Sequence, residues 1–318
     1  MKVTEHIAKA KGKTQFTFEI LPPLKGQHIN TLFDSIDDLI EFDPPFIDVT
    51  YHREEHVYKD SGNGLLELKV IKKRPGTVGI CAAIQGKYKV DAVPHILCGG
   101  FSKEDTENFL VDLDYLEIEN LVALRGDSVK SETYFTPNKD GHNYANELVN
   151  QIADLNQGNY LDDELLNSHA TNFCIGVAGY PEKHMEAPSL ESDLHFLNKK
   201  IKAGADYVIT QMFYDNQKFF DFVNKARAEG IMVPIIPGLK PLSTLKQLNI
   251  IPHRFHVDLP EALIKEVIKC KNNQAVRQVG VEWCIHQSKE LMTSKVPFLH
   301  YYSMGKSDNI KQIAEGVF

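Results

Sequence analysis

The chain has 318 residues, 42% hydrophobic and 25% charged, a composition able to bury a sizeable core. A formal charge of −8 with dispersed Lys and Arg excludes the basic stripe of a nucleic-acid binder, and no apolar run approaches the ~20 residues that span a bilayer. Five cysteines without CxxC or metal-type spacing, and a polar start (MKVTEHIAKAKGK) lacking a signal-peptide core, predict a soluble, reduced, cytoplasmic protein.

In chain order, short apolar, β-branched runs alternate with longer stretches of helical period. The first run is 15–20 (QFTFEI), closed by Pro22 and Pro23. Ile29, Leu32, Phe33, Ile36, Leu39 and Ile40 then recur at i, i+3, i+4, i+7, i+10 and i+11, one apolar helix face. A second strand, 46–51 (FIDVTY), follows Pro44-Pro45. Further strands are predicted over 92–98, 120–125, 173–180, 207–213, 233–237 and 298–302, with helices over 104–113, 190–203 and 217–229 among the gaps. In the second of these helices Leu190, Leu194, Leu197 and Ile201 share a face, and Gly204 ends it. Two stretches break the alternation: 156–172 reads as a polar insertion, 252–294 as additional helix.

Such alternation predicts a parallel sheet covered by helices. Eight strands in a chain of 318 residues suit a closed (β/α)8 TIM barrel with extra helices, one domain over 1–318. No GxGxxG follows a strand, which removes the usual signal of an open dinucleotide-binding sheet.

Active groups of a barrel gather at the carboxyl ends of its strands. Those positions hold Glu19, then Thr50 and Tyr51, His95, Arg125-Gly126-Asp127, Tyr180 with His184 beyond, Gln211, Pro237-Gly238 and Tyr302. Glu19 lies in an aromatic and aliphatic run, where desolvation raises a carboxyl pKa and lets it hold a proton near neutrality. The same acid also reads as a barrel-interior Glu paired with Lys or Arg. Asp127 follows a glycine that lets a flat ligand approach the backbone, and reads equally as a turn or N-cap Asp. Arg125 suits a phosphate or a neighbouring acid. His95 suits a ligand or a structural bond, and Gln211 a heterocycle edge or a loop backbone. No HExxH, Cys/His cluster, GxSxG or P-loop occurs, which disfavours metal hydrolysis, serine-type acyl transfer and P-loop NTPase chemistry. From residues alone, this is a barrel enzyme for a polar, partly aromatic ligand.

At these residues the sequence resembles the methylenetetrahydrofolate reductase family. The matching stretches are FTFEILPP (16–23), FIDVTY (46–51), VPHILC (93–98), NLVALRGD (120–127), VAGYPEKHMEA (177–187), AGADYVITQMFYD (203–215) and IIPGLKP (235–241), with HYYSMG (300–305) a weaker echo. They run in family order over nearly the whole chain, and the length resembles the short bacterial-type enzyme. The resemblance implies a (β/α)8 barrel binding FAD, and reduction of 5,10-methylenetetrahydrofolate to 5-methyltetrahydrofolate by NADH or NADPH. That places the protein in one-carbon metabolism and methionine biosynthesis.

By position, Glu19 matches the general acid that protonates folate N10, and Asp127 an acid near flavin and pterin. Gln211 matches a contact of folate and nicotinamide, and Leu245 and Tyr302 join it on the substrate side. Thr50, His95, Leu124, Arg125, Gly126, Asp127, Tyr144, Ala145, Tyr180, His184, Asp193, Lys199 and Lys200 fall on FAD-binding positions. The family also implies a homo-oligomer. Phe196 stands where the family has a polar side chain, and Leu245 where some bacterial members have Phe. Segments 81–90 and 156–172 read as local insertions. A flavin-free folate methyltransferase and a catalytically inactive folate or flavin binder are the competing readings; Glu19, Asp127 and Gln211 argue against the second.

Overall fold

Period-two sequence decides which residues line the barrel. In strand β1 (Gln15–Ile20), Phe16, Phe18 and Ile20 point outward under the helices, leaving Thr17 and Glu19 for the interior. The computed structural model describes residues 1–129, 132, 134–305 and 307–318. Its strands continue as β2 (Phe46–Val49), β3 (Glu55–Asp60), β4 (Leu66–Ile71), β5 (Asp91–Leu97), β6 (Asn120–Leu124), β7 (Cys174–Gly179), β8 (Tyr207–Thr210), β9 (Ile235–Ile236), β10 (Gly238–Leu239) and β11 (Phe298–Tyr302). All but β3 and β4 form one parallel sheet in the order β10-β11-β1-β2-β5-β6-β7-β8-β9.

The predicted seventh strand, 233–237, is reduced to β9, and a second short strand, β10, follows it directly. β9 pairs with β8, β10 pairs with β11, and Pro237 between them has no N–H to extend a ladder. The His300 N–H donates to the Pro237 carbonyl at 3.1 Å, so the chain carries the sheet round to its first edge. The result is a nearly closed α/β barrel of TIM type, as the alternation predicts.

Inside, the barrel is apolar at its amino end and polar toward the carboxyl end. Phe46, Val93, Val122, Cys174, Tyr207 and Phe298 pack together with Val3 of the N-terminal helix Val3–Lys9 against them. Above that layer, the next inward positions are Thr17, Asp48, His95 and His300. The register sets Glu19 beside both Asp48 and Tyr302, and Thr17 beside His300.

Most of residues 81–90 belong to the helix Val78–Tyr88, which packs on β5. One feature is absent from the sequence reading. Residues 55–71 form an antiparallel hairpin, β3–β4, turned at Gly62 and Gly64, both with positive φ. The 252–294 segment is helical as predicted, within Gln247–Phe255, Glu261–Ile268 and Asn273–Thr293.

Gly280 in the helix Asn273–Thr293 lies directly on the Leu242 backbone, where an added Cβ would meet Leu242 C and N at 2.8 Å. Backbone on backbone has no rotamer to yield. Overpacking costs about 1–3 kcal/mol and exceeds the roughly 1 kcal/mol an alanine gains over glycine in a helix. Gly280→Ala is expected to lower stability by about 2 kcal/mol in a urea titration; an unchanged midpoint would mean the helix shifts freely.

Candidate active site

β1 delivers Glu19 to the barrel mouth with its side chain only 12% exposed. Its Oε2 lies 3.7 Å from His95 Nε2. Burial pushes the carboxyl up to about 7; the nearby Asp48 charge adds to this, and His95 and Lys240 oppose it. Lys240, just past β10, is itself brought down to about 8 by burial, against the pull of Glu19. Below Glu19, His95 Nε2 lies 3.4 Å from Asp48 Oδ2, and His300 Nε2 lies 3.8 Å from the same oxygen. Thr17 Oγ1 and His300 Nδ1 are 2.9 Å apart. Glu19 is thus an acid able to keep its proton, with His95 3.7 Å away and the Lys240 charge acting on it.

A second group forms the wall above β6 and β7. Arg125 holds Glu186 bidentately at 2.6 and 2.7 Å, and its guanidinium lies 4.9 Å from the Phe135 ring centre. The bond to Glu186 raises the Arg125 pKa further. Of the two sequence readings of Arg125, the structure shows the neighbouring acid, Glu186. Tyr180 meets His184 edge-on with centroids 4.8 Å apart, and the His184 N–H donates to Asp193 Oδ2 at 2.9 Å. Lys200 turns inward and donates to the Ala178 carbonyl at 2.5 Å, its pKa brought down to about 8 by burial, with Asp193 opposing. Lys199 turns outward, 5.0 Å over the exposed Phe196 ring. The adjacent lysines therefore do different things, as a helix requires of neighbours about 100° apart.

The remaining predicted residues sit round the mouth. Thr50 follows β2, its hydroxyl 3.2 Å from His52 Nε2, and Leu124 ends β6. Gly126 adopts φ +86, a left-handed conformation that itself favours glycine, and a Cβ there would touch Leu97 at 3.3 Å. Asp127 is no N-cap: the next helix is Ala145–Leu155, with Tyr144 at its N-cap position and Ala145 its first residue. Its charge acts on both Arg125 and Tyr180. Gln211 Oε1 accepts from the Met212 N–H at 2.9 Å, the loop-backbone alternative. Tyr302 donates to the Thr210 carbonyl at 2.6 Å. Leu245 lies exposed on the loop after β10.

A family profile described as methylenetetrahydrofolate reductase matches residues 2–317. The chain belongs to the methylenetetrahydrofolate reductase family. It is similar to methylenetetrahydrofolate reductase 1 of Schizosaccharomyces pombe, at 31% identity over 99% of this chain and 48% of that protein. It is also similar to 5,10-methylenetetrahydrofolate reductase of Pectobacterium carotovorum subsp. carotovorum, at 29% identity over 96% of this chain and 91% of that one. The chain thus spans about half the length of the first curated relatives it matches and most of the bacterial ones. A solved Clostridium thermocellum protein, described as uncharacterized and binding two copies of 5-methyl-5,6,7,8-tetrahydrofolic acid, shares the fold at TM-score 0.55 with 14% identity, over 99% of this chain and 97% of that one.

Set in this reductase family, the sequence reading missed Asp48, Lys240, His300 and Glu182 as site residues, although all four lie within its matching stretches. Period two places Asp48 inward with Phe46, and His300 inward with Phe298, so parity carried a signal for both. Glu182 follows Tyr180 by two residues and is buried. Its pKa is pushed up to about 7 by that burial, although its Oε2 accepts the Asp258 N–H at 3.1 Å. It fastens the loop after β7 to the 256–260 segment. Among the described residues, no group of three or more His, Cys, Asp or Glu is placed to hold a metal ion.

Proposed function

We propose that this chain reduces 5,10-methylenetetrahydrofolate to 5-methyltetrahydrofolate with NADH or NADPH, the two substrates taking turns at one bound FAD. The observation that carries this reading is Glu19, an acid at the mouth of a family barrel that holds a proton up to about pH 7. When bound, FAD supplies a two-electron carrier between nicotinamide and folate. Arg125 and Lys200 would suit its pyrophosphate: Lys200 is a buried amine that donates to the neutral Ala178 carbonyl, with only the Asp193 charge acting in its favour, so a phosphate would add counter-charge.

Glu19 gives its proton to N10 of the folate, which opens the five-membered ring toward a cationic N5 iminium. Asp127 places negative charge near that cation and favours it. Lys240 and His95 steady the Glu19 carboxylate that remains. Gln211 positions the substrate edge by its amide, exchanging its bond to the Met212 N–H for one to the ligand.

The test is optical. The purified protein should be yellow or become so with FAD, bleach anaerobically with NADH or NADPH, and regain colour on adding methylenetetrahydrofolate. A colourless protein that FAD cannot reconstitute would overturn the reading in favour of a flavin-free folate barrel.

A further inference from the structure

Asp48 is a buried carboxylate, its side chain 1% exposed, and its Oδ1 has no hydrogen-bond partner. A buried anion is tolerated only with a cation nearby. The ionic groups within 4.0 Å of it among the described residues are two imidazoles, His95 at 3.4 Å and His300 at 3.8 Å. These two imidazoles are the groups placed to carry a compensating proton.

The surroundings choose between them. His300 is fully buried, and burial lowers its pKa, with the His95 charge also acting against it and Asp48 opposing. Its Nδ1 lies 2.9 Å from the Thr17 hydroxyl oxygen. The Asp48 charge favours the tautomer with the proton on Nε2, facing the carboxylate, so Thr17 is the donor and His300 stays neutral. For His95, burial alone would lower the pKa, yet the hydrogen bond to Asp48 and the charges of Glu19 and Asp48 outweigh it and raise the pKa. His95 is then the cation, and its Nε2–H lies between two carboxyl groups, Asp48 at 3.4 Å and the acid Glu19 at 3.7 Å.

We propose that Asp48 is a positioning residue for the acid: it keeps His95 protonated, so that a buried imidazolium faces Glu19 and stabilises the carboxylate left when Glu19 gives up its proton. This rests on the reading of Glu19 as proton donor. No atom is transferred to His95 in the step; the proton goes from Glu19 to folate N10, and His95 answers only with charge. The groups facing this pair are Asp48 from β2, His300 and Tyr302 from β11, Lys240 beyond β10 and His52 beyond β2. Asp48 also raises the Glu19 pKa directly, an effect smaller than that of His95. Lys240 approaches Glu19 independently of Asp48, so removing Asp48 weakens the positive charge at the acid without abolishing it.

The experiment uses the FAD-loaded protein. Asp48→Asn removes an anion and must lower the proton affinity of His95. At pH 7.5 the folate half-reaction is expected to slow by roughly tenfold, recovering as pH falls, with the optimum displaced about one unit to the acid side. Bleaching by NADH or NADPH should change less than about twofold, because it asks no proton of Glu19. In the wild-type chain, histidine NMR should report His95 as an imidazolium at pH 7, a measurement that needs no variant to fold. A neutral His95 in the wild type, or an equal fall of both half-reactions without a pH displacement, would overturn the proposal. A wild-type protein in which His95 is charged but methylenetetrahydrofolate never restores colour would instead defeat the function proposed above.

Discussion

Gly238→Ala is expected to cost about 3–4 kcal/mol of stability and to disable the mouth of the barrel. A Cβ at this position would overlap the Thr210 carbonyl oxygen and the Tyr302 hydroxyl and would stand 2.7 Å from Tyr302 Cε2. Those two groups are bonded to each other at 2.6 Å, and the Gly238 N–H donates to Thr210 Oγ1 at 3.0 Å. Relief therefore requires breaking a buried hydrogen bond or moving the β8 backbone, and each adds to an overpacking penalty of about 1–3 kcal/mol. Gly238 also pairs with His300, so the strain enters the sheet where it closes, beside Asp48. Gly79 is the internal comparison. It lies in the helix Val78–Tyr88 with nothing within 4 Å of an added Cβ, so Gly79→Ala should gain up to about 1 kcal/mol. Urea titrations of both variants check the pair; equal midpoints would show that Tyr302 moves aside at little cost.

The barrel was legible because every strand had to satisfy two faces at once. Phe46-Ile47-Asp48-Val49 alternates between interior and helix layer, and the apolar helix faces repeat at their own period. What escaped was of two kinds. Pro237-Gly238 reads as a strand end, yet the chain resumes pairing one residue later with a different neighbour, a consequence of closure that no local pattern encodes. The β3–β4 hairpin stands off the barrel with Tyr58, Leu66, Leu68 and Val70 exposed, so the rule of buried faces had nothing to grip.

The site divides the same way. Desolvation of Glu19 was legible from its apolar neighbours. Its partners were not, because His95, Asp48 and Lys240 reach it through parallel pairing and barrel closure across long separations. The Lys199-Lys200 pair was resolvable in principle: Lys200 falls three residues after Leu197, on the buried face, and Lys199 does not.

Glu19→Gln joins these threads, because a catalytic acid and a structural acid give opposite results. A general acid contributes about 10²–10⁴ in rate, so the folate half-reaction should fall at least about a hundredfold while bleaching by nicotinamide stays within a few-fold. Stability should move the other way. The folded-state pKa of Glu19 is raised from 4.5 to about 7, so its native environment favours the protonated form. The stability that this proton supports is complete below about pH 4.5 and is lost as pH rises through 7. Glutamine has no proton to lose. The Glu19→Gln protein should therefore match the wild type at pH 5 and exceed it at pH 8.5. The rise of the Glu19 pKa from 4.5 to about 7 sets a ceiling of about 3 kcal/mol. Lys240, deprived of its counter-charge, trims the gain to about 1–2 kcal/mol. Thermal melts at the two pH values, alongside the two half-reactions, decide it. A variant destabilised at both pH values, with both half-reactions lost together, would make Glu19 the paired structural acid that its sequence context also allows. Gain in stability at high pH with selective loss of folate reduction would make it an acid kept under strain for its proton.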